Sequence, residues 1–177
     1  MAKPKPPKID AVDRRILALL QDDARMPNVD IARRLGMAPS AVLERLRKLR
    51  SRGVIEGLNA RVNPRLVDFG LLAFVFIKTN DQEGKWSVGE QLARIPQVLE
   101  VHDVAGEDCY VVKLRTRDTE SLYQLLRDSF ATIPSIAATR TAIALRTVKE
   151  TTSLPLETGP GGASRTRPRR RRTTASR

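Results

Sequence analysis

Residues 28–55 read NVDIARRLGMAPSAVLERLRKLRSRGVI, and this stretch decides the fold of the first half of the chain. Apolar residues recur at helical spacing on both sides of Gly36, and the second run is rich in arginine and lysine. Glycine favours the left-handed conformation that ends a helix, and Pro39 suits the first turn of the next helix. The stretch therefore predicts a helix-turn-helix, whose second helix enters the major groove of DNA while the first braces it.

The second predicted helix has a buried stripe and an opposite, polar face. Val42, Leu46 and Leu49 lie at positions i, i+4 and i+7 and form the buried stripe. We assign to DNA contact the residues of the opposite face and its edges, which are Ser40, Ala41, Glu44, Arg47, Lys48 and Ser51. Arg47 can pair with guanine, whereas Glu44 can either accept a hydrogen bond from cytosine N4 or pair with Lys48 on the same helix.

Other positions near the turn are also assigned to DNA contact. Arg45 lies near the buried stripe, where it suits a phosphate or a neighbouring acid better than a base edge. Arg33 and Arg34 are on the first helix of the pair, and Asn28 is the expected N-cap of that helix. The expected N-cap of the second helix is Ala38, which costs roughly 1 kcal/mol relative to serine.

Two flanking elements complete the predicted first module. Apolar residues at helical spacing predict a helix from Asp10 to Gln21, and Val54 to Val62 is typical of a short strand or wing. Arg61 on that wing is assigned to the DNA backbone. Exposed arginines also occur on helical bundles that do not bind DNA, where they only keep the surface hydrated. The spacing of the residues alone therefore does not establish DNA binding.

The distribution of charge supports a polyanionic partner. The chain has 177 residues and a formal net charge of +12, to which residues 1–8 contribute +3, residues 9–65 +5, residues 66–150 −2 and residues 151–177 +6. A basic module beside a nearly neutral one favours nucleic acid. No run approaches the ~18 apolar residues of a membrane span, and no secretory signal precedes the first helix. We expect a soluble cytoplasmic protein.

The second half alternates strands with helices. Strands are predicted at 71–78, 98–104, 109–115 and 136–148, and helices at 87–95 and 118–131. The segments IPQV at 95–98 and IPSI at 133–136 each join a helix to a strand, which indicates two βαβ units in series. The resulting βαββαβ order is ferredoxin-like, with both helices on one face of an antiparallel sheet. The other face is expected to be bare, with Phe, Val, Leu and Ile on it, so we expect a homodimer.

This arrangement resembles the leucine-responsive regulatory protein/AsnC family of prokaryotic transcription regulators. The resemblance covers roughly residues 9–150, and its first half is the more specific. It is carried by residues 9–10, 13–17, 31–36, 40, 45–49, 53–55, 57, 63–64 and 70, and in the second half by Gly106, Thr139 and Thr141. The resemblance implies an α+β fold, a winged helix-turn-helix domain followed by a ferredoxin-like dimerisation and ligand domain, and assembly of some members into octamers.

The resemblance also implies a small-molecule effector, commonly an amino acid bound near the Gly106 loop. The residues assigned to it are Gly106, Glu107, Asp108, Cys109, Thr139 and Thr141. This chain departs from the family pattern in two places, with alanine for the usual serine at Ala38 and Cys109 where an acid is expected. An ordinary hairpin turn is the alternative interpretation of the Gly106 loop.

The domain prediction has four parts. A disordered basic arm is placed at 1–8, the DNA-binding domain at 9–65, the effector-binding and oligomerisation domain at 66–150, and a disordered Arg-rich tail at 151–177. The tail either adds non-specific affinity for DNA, contacts RNA or acidic proteins, or has no role. The single histidine, His102, and the single cysteine have no metal-site spacing, so we expect no metal, no cofactor and no enzymatic activity.

Three functions are therefore compared. The first is a sequence-specific, nucleoid-associated transcription regulator that responds to an amino acid or a related metabolite. The second is an architectural DNA-binding protein with little sequence preference. The third is a metabolite sensor that controls an enzyme, and the basic first half argues against it.

Overall fold

The computed structural model describes residues 8–80 and 87–156, which pack as two compact units. One unit contains residues 8–60 together with 151–156, and the other contains residues 61–150 apart from the gap. The expected basic arm, except Lys8, and the tail from residue 157 onward lie outside the described residues. The expected α+β class and its order of modules are confirmed.

The first unit is a bundle of three helices, α1 (Ala11–Asp22), α2 (Asn28–Leu35) and α3 (Pro39–Ser51). Helix α1 begins with a capping box, because Asp10 accepts a hydrogen bond from the N–H of Asp13 at 2.7 Å while Asp13 accepts one from the N–H of Asp10 at 3.3 Å. The core of the unit is Ile16, Leu20, Ile31, Ala32, Val42, Leu46 and Leu49. The predicted buried stripe of α3 is thus confirmed.

At 54–62, where the sequence predicts a short strand or wing, the strand is wrong, since the structure describes no regular element there. Gly53 has φ +68° and turns the chain, after which the N–H groups of Val54 and Ile55 bond the carbonyl of Leu49 at 2.9 and 3.3 Å. These two side chains pack half-buried against the helical core. Among the described residues the segment pairs with no neighbouring strand, and an unpaired strand would leave its backbone groups without partners.

The second unit is a four-stranded antiparallel sheet with two helices. Its elements are β1 (Leu71–Thr79), α4 (Ser87–Ala93), β2 (Val98–Asp103), β3 (Tyr110–Thr116), α5 (Thr119–Leu125, continuing in wider π-helical turns over Leu126–Phe130) and β4 (Ile136–Ile143). The strand order β2-β3-β1-β4 and the antiparallel pairing confirm the ferredoxin-like prediction. Strand β4 ends five residues before the predicted 148.

The two faces of this sheet differ in character. The helix-bearing face supplies the core, which includes Val75, Ile77, Val112 and Leu114 from the central strands together with Val88 and Leu92 of α4 and Leu122, Leu125 and Phe130 of α5. The opposite face carries half-buried Phe74, Phe76 and Val111, but also four cations, which are Lys78, Lys113, Arg115 and Arg140. Phenylalanine, valine and leucine lie on this face as predicted, but Ile77 and Ile143 lie on the other face, and the cations make the second face only partly apolar.

Three of these cations, Arg140, Lys113 and Arg115, have specific partners. Arg140 lies over the Phe76 ring, 3.9 Å from its centroid. Lys113 lies 2.8 Å from Glu100 and 2.9 Å from Glu150, and Arg115 lies 2.8 Å from Glu150. Hydrogen bonds from Lys113 hold the pKa of both glutamates below their ordinary values. The face is thus partly polar, and three of its four cations have a partner.

Candidate DNA interface and effector loop

The turn between α2 and α3 has the geometry of a helix-turn-helix. Gly36 adopts the left-handed conformation at φ 66° and ψ 37°, and the N–H of Met37 bonds the Ala32 carbonyl at 2.9 Å. Ala38 is the N-cap of α3 and supplies no side-chain hydrogen bond, while Pro39 occupies the first turn. These three predictions from the sequence are confirmed.

Asn28 does not have the predicted position. It is the first residue of α2, and the N-cap is Pro27, whose carbonyl accepts hydrogen bonds from the N–H groups of Asp30 and Ile31 at 2.9 and 3.1 Å. The fixed φ of proline, here −60°, lets the helix begin one residue earlier than expected. Asn28 is half-buried at the start of α2.

Helix α3 exposes one polar face, which we call the recognition face. Its residues Ser40, Glu44, Arg47, Lys48 and Ser51 are all exposed, and Ala41 is half-buried. Lys48 pairs with Glu44 one turn away, and this hydrogen bond lowers the pKa of the Glu44 carboxyl. The Ser51 hydroxyl donates to the carbonyl of Lys48 at 3.1 Å. Arg47 has no ion pair within the part of the chain that the structure describes, so its guanidinium is available.

Arg45 is turned away from the recognition face. Its Nη1 lies 2.6 Å from Asp10 Oδ2 and 2.7 Å from Asp13 Oδ1, so one guanidinium joins α3 to the capping box of α1. The hydrogen bond to Asp10 and then the one to Asp13 raise the pKa of Arg45. The pKa of Asp10 is lowered, first by the N–H of Asp13 and then by Arg45. Of the two partners that the sequence left open, the structure therefore favours the neighbouring acids over a phosphate.

The remaining predicted DNA residues are divided between the two units. Arg33 on α2 pairs with Asp30 at 3.0 Å, and Arg34 is exposed beside it. Arg61 falls in the second unit, where its Nη2 donates to the Glu150 carbonyl at 2.7 Å. Arg61 therefore belongs to the unit that does not contain the helix-turn-helix.

One exposed side chain on α3 is not predicted by the sequence pattern. Leu43 is 38% exposed, although it lies next to the buried Val42. A leucine at the border of the recognition face can contact the methyl group of thymine. The sequence signal for its exposure is its position on the helix, about 100° around the axis from the buried Val42. An apolar residue in a helix is usually assigned to the core, so this signal is easily missed.

The second candidate site is the loop between β2 and β3. Gly106 has φ +144°, a conformation that side chains rarely adopt, although a Cβ there would meet nothing within 4 Å. The loop is closed by the N–H of Val104, which bonds the Cys109 carbonyl at 3.0 Å. Cys109 is half-buried, its N–H donates to the Ile77 carbonyl at 2.8 Å, and its Sγ accepts from the Thr79 hydroxyl at 3.4 Å.

The structure brings only part of the predicted effector set together. Thr139 is paired with Ile77 across β1, so it lies at the same end of the sheet as Cys109, whereas Thr141 pairs with Val75 in the middle of the sheet. Both threonines are exposed. Asp108 Oδ2 instead lies 3.3 Å from Nη2 of Arg140. Arg140 is between the two threonines in the chain, but its side chain is on the opposite face of the sheet. Glu107 is exposed and points to no described partner.

Metal-binding clusters and membrane-spanning helices are absent from the part of the chain that the structure describes. Residues 8–80 and 87–156 contain no group of three His, Cys, Asp or Glu side chains that could hold a metal ion. No helix described there is long and apolar enough to cross a membrane.

The family was identified by comparison with known proteins. The winged helix-turn-helix DNA-binding family matches residues 9–56, and the Lrp/AsnC ligand binding domain family matches residues 72–154. An HTH-type transcriptional regulator of Pyrococcus horikoshii is 39% identical over 150 residues, which are 84% of this chain and 97% of the relative. The leucine-responsive regulatory protein of Escherichia coli is 35% identical over 162 residues, which are 89% and 98% of the two chains.

A solved structure supports the same conclusion. The feast or famine regulatory protein of Mycobacterium tuberculosis, in complex with L-methionine, has a TM-score of 0.76 and 34% identity, and the match covers 82% of this chain and 97% of that one. The folds, the order of the two modules and the sequence identities all agree. The chain belongs to the Lrp/AsnC family of transcriptional regulators.

Proposed function

We propose that the recognition face of α3 reads DNA sequence and that this chain regulates transcription from the sites it binds, in the cytoplasm and on the nucleoid. The observation that carries the proposal is the exposed guanidinium of Arg47, which has no ion pair among the described residues and lies beside Ser40 and Glu44 on a helix held by a helix-turn-helix. Arginine donates two parallel hydrogen bonds to guanine, and such a contact separates the right base from the wrong one by ~1–3 kcal/mol. Arg33 and Arg34 supply phosphate contacts.

The ratio of two DNA affinities distinguishes sequence-specific regulation from architectural DNA binding. The affinity of the full chain for the DNA upstream of its own gene is compared with its affinity for random duplex, each measured over a salt series. A specific regulator should prefer the first by a factor of about a thousand or more. A ratio near one at every salt concentration contradicts the proposal and favours the architectural function.

We also infer a homodimer, which some family members extend to an octamer. The half-buried Phe74, Phe76 and Val111 on the second sheet face support a contact between two copies, and a dimer would present two recognition helices to half-sites spaced by a multiple of a helical turn. The measurement is sedimentation velocity of the native chain. A Phe76→Lys variant should shift the dimer towards monomer, and a wild-type chain that sediments as a monomer at all concentrations contradicts the inference.

The effector proposed for the second unit is an amino acid, held at the Gly106–Cys109 loop and Thr139, with Thr141 further along the same strand. The support is the match to the ligand-binding family and the L-methionine found with the relative from Mycobacterium tuberculosis. An amino acid that binds only the folded state stabilises it by about 2.7 kcal/mol at a hundred times its Kd. Thermal unfolding with each of the twenty amino acids should therefore show a shift for at least one, and Thr139→Val should remove it.

The activity we propose is regulatory and not catalytic. His102 is exposed and lies 3.4 Å from Glu100, while Cys109 lies beside the Thr79 hydroxyl, so the single histidine and the single cysteine of the chain have different partners. Absence of any thermal shift across the twenty amino acids would overturn the effector part of the proposal and leave DNA recognition intact.

A further inference from the structure

A pocket in the second unit lies at the end of the sheet opposite the Gly106 loop. That loop joins the end of β2 to the start of β3, next to the end of β1, whereas the pocket lies where β1 begins and β4 ends. Its volume is about 380 Å³, which is within the ~300–1,000 Å³ range of small-molecule sites. We call it the Arg115 pocket. Its polar lining residues are Asn63, Arg65, Arg115, Arg146, Thr147 and Glu150.

The pocket concentrates positive charge in a unit that is neutral as a whole. Residues 66–150 have a net charge of −2, and Arg61 and Arg65 bring residues 61–150 to zero. The lining of the pocket nevertheless has three arginines and one acid. Like charges that line one cavity repel each other, so an anion bound among them is stabilised by their combined field.

The acid of the lining is already neutralised. Glu150 Oε2 accepts a hydrogen bond from Arg115 Nη2 at 2.8 Å, and Glu150 Oε1 lies 2.9 Å from Lys113 Nζ. The main-chain carbonyl of Glu150 accepts from Arg61 Nη2 at 2.7 Å. Each carboxylate oxygen of the lining therefore has a cation beside it, which leaves no unpaired carboxylate there for the ammonium group of a ligand.

The remaining polar groups of the pocket can donate hydrogen bonds. Arg65 and Arg146 are exposed, and neither has an ion pair in the part of the chain that the structure describes. Asn63 Oδ1 accepts from the Arg65 N–H at 3.1 Å, so its amide nitrogen can still donate, and Thr147 adds a hydroxyl. The Arg115 side chain is only 10% exposed and forms the inner wall. A guanidinium has five N–H groups, of which Arg115 uses two on acceptors of the chain.

We propose that the Arg115 pocket binds a small organic anion, a dicarboxylate or a phosphate ester without an ammonium group. Guanidinium groups donate parallel hydrogen bonds to carboxylate and phosphate alike. The phosphates of DNA share this chemistry, but a duplex is too wide to enter the cavity and reach the buried Arg115. Once bound, the anion joins the segment before β1, through Arg65, to the segment after β4, through Arg146. The site is separate from the amino-acid site proposed at the Gly106 loop and does not depend on it.

The experiment is NMR titration of the ¹⁵N-labelled full-length chain at constant ionic strength, with succinate, inorganic phosphate or L-methionine as the probe. Succinate, phosphate or both should shift the amide signals of Arg146 and Thr147 in a saturable way, and the probe that does so identifies the acidic group. Arg146→Met should weaken that binding about tenfold, as expected when a hydrogen bond between charged groups is lost. The matched control is Arg94→Met, which removes an exposed guanidinium of the same unit outside the pocket and should leave the affinity unchanged.

Three results would overturn the inference. The first is that neither succinate nor phosphate shifts the signals of Arg146 and Thr147. If Arg65→Met and Arg146→Met then also lower the salt dependence of DNA binding, these arginines are DNA-backbone contacts. The second is an equal loss of affinity in Arg94→Met and Arg146→Met, which would indicate attraction to the basic surface in general. The third is a shift of the Thr147 signal by L-methionine, because the pocket should reject an ammonium group.

The proposed amino-acid effector is tested separately in the same spectra. An amino acid that binds at the proposed effector loop should shift the amide signal of Gly106 and leave that of Thr147 in place. A Gly106 signal that responds to none of the twenty amino acids would contradict the proposed effector, and the Arg115 pocket would be unaffected by that result.

Discussion

Replacing Arg45 with methionine should destabilise the helix-turn-helix unit without removing a DNA contact. The substitution keeps the length and apolar packing of the side chain and deletes the guanidinium that joins α3 to the capping box of α1. Asp10 and Asp13 then lose the guanidinium that lies 2.6 and 2.7 Å from their carboxylate oxygens. The Asp13 side chain is only 12% exposed. The destabilisation comes from this nearly buried charge more than from the exposed Asp10.

The magnitude depends on the exposure of the three groups. An exposed ion pair contributes ~0.2–1 kcal/mol, and removing one partner of a fully buried pair costs ~3–5 kcal/mol. The Arg45 side chain is 32% exposed and Asp13 is 12% exposed, so their pair lies between these limits. We expect Arg45→Met to lower the free energy of unfolding by about 2–3 kcal/mol. Adding Asp13→Asn should recover about 1–2 kcal/mol of this loss as a coupling energy.

The assay is urea unfolding followed by helical circular dichroism, combined with DNA binding over a salt series. Arg47→Met is the matched control, because it removes the same group from the same helix at an exposed position. Arg47→Met should change stability by less than about 0.5 kcal/mol but reduce sequence preference, and Arg45→Met should do the reverse. If Arg45→Met is as stable as the wild type and lowers the salt slope, Arg45 is a phosphate contact and the reasoning is refuted.

Three further predictions concern pH, capping and the effector loop. The pKa of Asp10 is held below its ordinary 3.8. The contribution of Asp10 to stability is therefore complete above pH 3.8 and is lost as the pH falls through the lowered pKa. Acid titration of helicity should show a weaker pH dependence in Asp10→Asn than in the wild type. Ala38→Ser should stabilise α3 by about 0.5–1 kcal/mol in urea unfolding, because the N-cap backbone is already extended and only the hydroxyl is missing. Gly106→Val should cost about 1–3 kcal/mol at φ +144° in the same assay, and reduce any amino-acid thermal shift.

Local features of the fold could be predicted from the sequence, and features that depend on distant residues could not. Gly36 and Pro39 fix the turn through their own backbone preferences, and the stripe of Val42, Leu46 and Leu49 is a matter of helical spacing. In the second unit, apolar and aromatic content predicts the strand at 71–78, and alternation predicts those at 98–104 and 136–148. By contrast, a strand at 54–62 needs a partner elsewhere in the chain, and spacing along one segment carries no information about that partner.

The candidate sites show the same division. Helical spacing predicts the exposed face of α3. It does not identify the partners of Arg45, which are Asp10 and Asp13, 35 and 32 residues away in the chain. Gln21 likewise bonds the main chain of Leu154, which is 133 positions later, and nothing in the sequence around Gln21 indicates this partner. In the second unit, Arg140 points to the face opposite Thr139 and Thr141, so residues that are neighbours in the chain are separated by the sheet.

The central claim is that the recognition face of α3 reads base sequence, and selection of binding sites from a random DNA pool tests it most directly. We expect the wild type to enrich two related half-sites whose centres are one helical turn of about 10–10.5 base pairs, or a multiple of it, apart. Arg47→Met should enrich the same sites with one base position relaxed in each half. A pool that shows no common sequence after selection with the wild type, or an Arg47→Met pool identical to the wild-type pool, would contradict the account.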